Sequence, residues 1–399
     1  MQAIRITRRA ATRTLAAALM AASLPVAALA EDTVKIGVIL PMTGPSASTG
    51  KQVTAAMKLW QAVNGTKAGG KTVEIVVKDD TGVADVTKRL AQELVVNDHV
   101  SFLAGFGLTP LALAAAPIAT QGKVPMIVSA AATATITEAS PYIVRTSFTL
   151  PQVTAPAAEQ AAKQGWKKAI TLVTDYGPGI DAEKTFKERF TATGGEVVAE
   201  LRVPLKNPDF APFLQRVADT KPDGVFVFVP SGFGGLFVKQ FVERGFDKSG
   251  IRLIATGDVL DDDLLDDMGD VVLGVTTTHH YSAAHPSAEN KAYVAAFTKA
   301  NPGLRPNFMS VAGWDAMALV YAALDKTGGA TDGTKLVETM KGMSWVSPRG
   351  PITIDPATRD IVQNVYVRTV EKVDGHLWNV ETSAFEAVKD PVKAAKAAK

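Results

Sequence analysis

Short apolar runs alternate with amphipathic stretches of a dozen or so residues along most of the chain. The run Val34-Lys35-Ile36-Gly37-Val38-Ile39-Leu40 is rich in β-branched residues, ends at Pro41 and predicts a strand. Helical periodicity over 50–64, 85–97 and 110–120 then alternates with strand-like runs at 72–78, 100–104 and 124–128. The pattern restarts at 152. Helices are expected over 152–164, 181–193, 210–220 and 234–244, and strands over 168–174, 196–202, 224–229 and 252–256. Further on come helices at 287–300, 308–326 and 335–341, and an antiparallel-looking pair at 350–355 and 362–372. Strands alternating with helices predict an α/β chain with two doubly wound parallel sheets, each covered on both faces. The Ala/Lys-rich end from Pro391 is expected to fray. In open sheets of this kind, ligands sit beyond the carboxyl ends of the strands, and two such edges facing each other make a closable cleft.

The first thirty residues follow a different logic. Arg5, Arg8, Arg9 and Arg13 precede an apolar run over 15–30, broken only by Ser23 and ending in Ala28-Leu29-Ala30. A basic head, a short apolar middle and small residues at the end predict a cleavable secretory signal over 1–30. The run is shorter than the ~20 residues needed to span a bilayer. Arg8-Arg9 also permits a twin-arginine export route.

Export changes the charge picture. The whole chain of 399 residues carries 42 Lys+Arg against 40 Asp+Glu; without the four leader arginines it is slightly acidic. No basic surface for nucleic acid is expected from such a balance. At 47% hydrophobic residues the chain is an ordinary globular one, and its length suits two domains. It has no cysteine, which excludes disulfides, thiolate–metal sites and a thiol nucleophile.

Five loops carry candidate chemistry. Gly105-Phe106-Gly107-Leu108-Thr109-Pro110 follows a strand and opens a helix, with Thr109 read as N-cap and Pro110 as the first helical residue. Such an end offers amide N–H groups and partial positive charge to an anion, although the same residues also describe an ordinary capped helix. Ser129-Ala130-Ala131-Ala132-Thr133 is a small-residue loop that lets a ligand approach the backbone, with Thr133 supplying a hydroxyl. Asp175-Tyr176-Gly177-Pro178-Gly179 places an aromatic ring at a strand end in the second block. Pro230-Ser231-Gly232-Phe233 and Thr256-Gly257-Asp258 end two later strands; Asp258 is an acid for a ligand amino group or a cap for the next helix. Adjacent His279 and His280 cannot both face one metal on a regular strand, and no nucleophile elbow, phosphate loop or zinc-protease motif is present. No cofactor and no enzymatic activity are expected.

Taken in order, Ile36 through Pro45 with Gly50, Asp79-Asp80, Gly105 through Thr109, Pro125 through Thr133 and Asp175-Tyr176-Gly177 resemble the periplasmic solute-binding proteins of ABC transporters, of the leucine/isoleucine/valine-binding type. The resemblance covers almost the whole chain after the leader. It implies two lobes joined by three crossings, with lobe 1 at 32–147 plus 279–346, lobe 2 at 148–278 plus 347–378, and a tail at 379–399. It implies that a ligand carboxylate is held by positions matching Thr109, Ala131 and Thr133, with Tyr176 as the aromatic cleft residue. Relatives for aliphatic amino acids carry an aromatic at Thr49, a Tyr at Ser231 and a Glu near Gly257, here displaced to Asp258. The departures imply a kept carboxylate end and an altered remainder, in which Phe106, Tyr176, Phe233 and His280 or Tyr281 could line a flat slot for an aromatic acid. The expected role is a periplasmic, monomeric carrier that closes on a small carboxylate, either an amino acid or an aromatic acid, and delivers it to a membrane permease. A soluble sensor for a membrane kinase is the rival role.

Overall fold

The computed structural model describes residues 33–397; the expected signal at 1–30 lies outside the described residues. The apolar runs form two sheets. In the first, β1 (Thr33–Leu40), β2 (Lys67–Ala68), β3 (Lys71–Asp79), β4 (Phe102–Gly105), β5 (Met126–Val128) and β6 (Ile143–Arg145) lie in the order β2-β3-β1-β4-β5-β6. Strands β1, β4, β5 and β6 pair in parallel, and the short β2 runs antiparallel to β3. From Ile36 to Leu40 every residue is buried, as a central parallel strand covered on both faces requires.

The second sheet contains β7 (Lys168–Thr174), β8 (Glu196–Val203), β9 (Gly224–Phe228), β10 (Arg252–Thr256), β11 (Thr276–His279), β12 (Ser344–Ser347), β13 (Gly350–Ile354), β14 (Ile361–Val373) and β15 (His376–Val388). Strands β8-β7-β9-β10-β11 are parallel, and β14, β13, β12 and β15 extend them antiparallel from the β11 edge. The sheet is therefore mixed rather than purely parallel. Its long hairpin β14–β15 turns on Asp374-Gly375, both with positive φ, which is the two-residue turn that matches strand twist.

Helices Ala288–Ala300, Phe308–Thr327 and Gly333–Met340 pack on the first sheet's layer although they follow β11 in sequence. Helix Phe308–Thr327 lies close against Ala47–Asn64, and Gly313 makes this possible: a Cβ there would stand 2.7 Å from the Val53 carbonyl oxygen. Trp60, Trp314 and Tyr321 pack edge to face across the same seam.

The chain thus passes between the lobes three times, after β6, after β11 and before β12. Buried Arg349 ties these crossings together. Its guanidinium pairs with Asp315 at 2.6 Å and donates to the carbonyls of Thr146 and Ser147 and to Gln363. Phe148 in the first crossing packs against His279, His280 and Phe308.

The residues placed in a C-terminal tail at 379–399, and the end from Pro391 expected to fray, carry regular structure up to Ala397. Residues 379–388 complete β15, and a helix follows at Pro391–Ala397. That helix is held because buried Lys393 finds an acid, Asp360, at 2.5 Å.

Candidate functional site

The carboxyl ends of β4 and β5 in the first lobe face those of β7, β9 and β10 in the second. The lobes are closed on each other: the Ala134 amide donates to Asp181 Oδ2 at 2.8 Å, and Asn307 Nδ2 donates to both Asp261 oxygens at 2.9 and 3.0 Å. Between them they leave a small cavity of about 20 Å³. Thr49, Gly107, Leu108, Thr109 and Ala130 to Ala132 form the first-lobe wall, and Met309 at the start of its helix adds to it. Leu150, Tyr176, Pro178, Phe228, Pro230, Ser231 and Asp258 form the opposite wall. That is room for about one water molecule and far below the ~300–1,000 Å³ of small-molecule sites, so a ring-sized ligand enters only as the lobes part.

Helix Thr109–Gly122 begins one residue earlier than expected. Leu108 is the extended N-cap and offers no side-chain cap, so Thr109 is the first helical residue and Pro110 the second. The Thr109 hydroxyl is therefore not consumed by its own helix. It hydrogen-bonds instead to the Thr133 hydroxyl at 2.8 Å, 24 residues away in sequence. In such a pair one hydroxyl donates to the other, and the proton of the acceptor remains free for a third group. Thr133 does not itself line the cavity; it stands behind Thr109, and Gly177 presses on it so closely that a Cβ there would lie 2.5 Å from Thr133 Oγ1.

Arg145, wholly buried, fixes this loop from below. It donates to the carbonyls of Ala131 (2.8 Å), Thr133 (2.7 Å) and Phe148 (2.9 Å) and pairs with Asp360 at 2.8 Å.

Of the eight residues singled out from sequence, Thr49, Thr109, Ala131, Tyr176, Ser231 and Asp258 line the cavity. Three expectations need correction. Phe106 is completely buried in the core of the first lobe, because Gly105 and Phe106 both take positive φ (+106° and +67°) and the bend turns the ring inward. Ala131 has no backbone group to spare: its amide donates to the Phe106 carbonyl at 3.0 Å and its carbonyl accepts from Arg145. His280 and Tyr281 are buried at the second crossing, where Tyr281 donates to Asn290 Oδ1, and Phe233 lies on a surface groove outside the cavity.

Leu150, Phe228 and Met309 went unrecognised in the sequence. Phe228 was legible as the last residue of a strand, and its ring stacks on Tyr176 at 6.1 Å with 16° between planes. Leu150 and Met309 follow lobe crossings, where periodicity cannot separate a cavity-lining residue from a core one.

The cavity's electrostatics are set by burial. No lysine or arginine lines it. Burial pushes the Asp258 carboxyl up to about 7, with Asp261 nearby adding to the rise and Arg368 opposing it. Asp261 is likewise pushed up to about 7 by burial, against hydrogen bonds from Ser231 and Asn307. His279 and His280 are driven well below the usual imidazole range, chiefly by burial, and are neutral. Among the described residues, no group of three or more His, Asp or Glu side chains is placed to hold a metal ion.

These raised carboxyls carry a sign. Each holds a proton in the folded state that the unfolded chain releases near pH 4, so its stabilising contribution is present at low pH and lost as pH rises toward 7. The neutral histidines act oppositely below pH ~6.5, so the acid effect is read as a difference between proteins. The stability of the native chain relative to Asp258→Asn is expected to fall by an amount on the order of 2 kcal/mol between pH 5 and pH 8, measured by urea unfolding. A flat difference would mean that Asp258 is ionised in the fold throughout.

A profile of the periplasmic binding protein family matches residues 33–375. A Leu/Ile/Val-binding protein homolog of Brucella abortus is 47% identical over 381 residues, covering 94% of this chain and 97% of that one. A solute-binding protein of an ABC transporter from Rhodopseudomonas palustris BisB5, solved in complex with 3,4-dihydroxybenzoic acid, is 63% identical with a TM-score of 0.89, over 91% of this chain and all of the other. A second, from strain HaA2 in complex with p-hydroxybenzoic acid, is 46% identical with a TM-score of 0.89 over the same shares. Two sheet lobes closing on a small cavity, matched along nearly the whole described length, make this chain a member of the periplasmic binding protein family, a solute-binding protein of ABC transporters.

Proposed function

We propose that the chain carries a small aromatic carboxylic acid of the benzoate class, received in the periplasm after export by its N-terminal signal and handed as a monomer to a membrane permease. The observation that carries this reading is the make-up of the cavity. One end holds the Thr109 hydroxyl at a helix start, backed by the Thr133 hydroxyl behind it, and the middle is walled by Tyr176, Phe228, Leu150 and Met309. A carboxylate at the hydroxyl end receives neutral donors and the helix's partial positive charge, while a flat ring fills the apolar middle. The proteins solved with hydroxylated benzoates support the same ligand class. Closure of the lobes by hinge motion buries the ligand and forms the surface offered to the permease.

An aliphatic amino acid is the second reading, favoured by the relative's name and by Asp258 as a partner for an ammonium group. Thermal unfolding of ligand-stripped protein separates the two. At 100-fold excess over Kd a true ligand stabilises by about 2.7 kcal/mol. Benzoate and 4-hydroxybenzoate are expected to raise the Tm and leucine, isoleucine and valine to leave it unchanged. The reverse pattern overturns the aromatic reading.

A further inference from the structure

The second-lobe wall of the cavity carries two polar groups that a carboxylate held by the first lobe does not use. Asp258 and Ser231 stand two and three residues beyond the carboxyl ends of β10 and β9, which are neighbouring parallel strands, and both line the same wall of the cavity. Asp258 is 4% exposed, and its Oδ2 is buried without a hydrogen-bond partner; His279 Nε2, at 3.8 Å, is too far to supply one. An orphaned buried carboxylate oxygen is costly, which points to a donor arriving from outside the fold.

Ser231 is committed differently. Its hydroxyl proton goes to Asp261 Oδ2, and Asp261 is pinned by Asn307 Nδ2 from the first lobe. With Asp261 ionised, the Ser231 proton is spent on it and Ser231 Oγ has only lone pairs to offer the cavity. The wall is thus two adjacent acceptors, and what complements it is a pair of adjacent donors on the ligand at the end remote from its carboxylate.

Resting on the aromatic-acid reading above, we propose that Asp258 is the specificity-determining residue for a ring hydroxyl opposite the carboxylate, and that Ser231 receives a second hydroxyl beside it. The ligand class is then the hydroxylated benzoates, with a 3,4-dihydroxy pattern favoured over 4-hydroxy and 4-hydroxy over none. A ring hydroxyl fits better than an ammonium group here, because a neutral donor satisfies Asp258 without a second charge being taken out of water.

Calorimetric titration of ligand-stripped protein with benzoate, 4-fluorobenzoate, 4-hydroxybenzoate and 3,4-dihydroxybenzoate tests this. The native chain is expected to prefer 4-hydroxybenzoate over benzoate by about 10- to 100-fold, as one hydrogen bond to a charged group implies. 4-Fluorobenzoate, similar in shape but without a donor, is expected to bind like benzoate. In Asp258→Ala the preference for the 4-hydroxyl is expected to fall below about 3-fold, and in Ser231→Ala the added preference for the 3-hydroxyl to vanish. Asp258→Asn, closer in volume, is expected to lower the 4-hydroxyl preference at least several-fold, and it decides the matter if the alanine variant does not fold. If the native chain binds all four acids alike, or if 4-fluorobenzoate matches 4-hydroxybenzoate, the assignment of Asp258 is wrong while the carrier of aromatic acids stands. If none of the four binds and leucine does, the aromatic reading itself is wrong.

Discussion

Thr109→Val combined with Thr133→Val is expected to reduce carboxylate binding to or below the calorimetric limit while leaving the unfolding of the ligand-free protein nearly unchanged. The two hydroxyls bond to each other at 2.8 Å in a setting where both residues are less than 10% exposed. Replacing both partners of a buried hydrogen bond by groups of the same shape leaves no orphaned atom, and valine matches threonine in outline. A carboxylate entering the altered cavity meets a methyl group where it needed the Thr109 hydroxyl, and the hydroxyl behind it that could take its place is gone as well. Each charge-assisted hydrogen bond lost removes about 1.5–3 kcal/mol, and the polar oxygen left unpaired inside a closed cleft adds more. The combined loss corresponds to about 10²–10⁴ in Kd, enough to take micromolar binding to or beyond the weak end of calorimetric range. The single changes should show the opposite stability pattern. Thr109→Val strands the Thr133 hydroxyl and should lower the stability of the ligand-free protein by about 1 kcal/mol or more, a loss that the second change restores. Undiminished affinity in the double variant would place the carboxylate elsewhere in the cleft.

The framework of this fold was legible because its parallel strands are buried on both faces and so appear as unbroken apolar runs. What escaped did so for identifiable reasons. Strand β11, Thr276-Thr277-Thr278-His279, has no aliphatic residue, yet all four side chains are buried; Thr278 donates to the Val153 carbonyl at 2.7 Å, and Thr277 Oγ1 accepts from Arg368 at 3.1 Å. Hydropathy has no signal for a strand whose threonines are satisfied by distant partners. Strand β15 was missed although Asp374-Gly375 between two β-rich runs is a strong hairpin signal. In the site, Thr109, Tyr176 and Asp258 followed from the rule that loops at strand ends meet at the cleft. Phe106 belongs to the same loop and fails the rule, because the rule is blind to backbone angles and two consecutive positive φ values decide which way a ring points. The buried arginines were beyond reach altogether. In sequence Arg145 is one cation among 42 basic residues, and only the fold brings it together with Asp360, 215 positions on.

That arginine is the point at which stability and binding are joined, and Arg145→Met is expected to damage both. Arg145 holds the carbonyls on either side of Ala132, so the loop carrying Thr133 is fixed from the interior rather than by the ligand. Its third carbonyl, Phe148, belongs to the first crossing between lobes, and its carboxylate partner Asp360 is shared with Lys393 of the last helix. Methionine keeps much of the volume but strips the guanidinium from the Ala131 and Phe148 carbonyls, leaves the Thr133 carbonyl with only the Ile136 amide at 3.3 Å, and leaves Asp360 with one cation instead of two. Removing one member of a buried ion pair costs about 3–5 kcal/mol, which urea unfolding would show as a large fall in midpoint at unchanged slope. Because the Thr133 carbonyl is released, the hydroxyl pair loses its fixed geometry, and ligand affinity should fall by about tenfold or more in protein that is still folded. Lys393→Met provides the control: it leaves Asp360 paired with Arg145 and the loop carbonyls held, so it should lower stability by a smaller amount and leave affinity nearly intact. Equal losses of affinity in the two variants would show that the loop is positioned by the whole Asp360 cluster rather than by Arg145, and an Arg145→Met protein within 1 kcal/mol of the native one would remove the cluster from any role in holding the site.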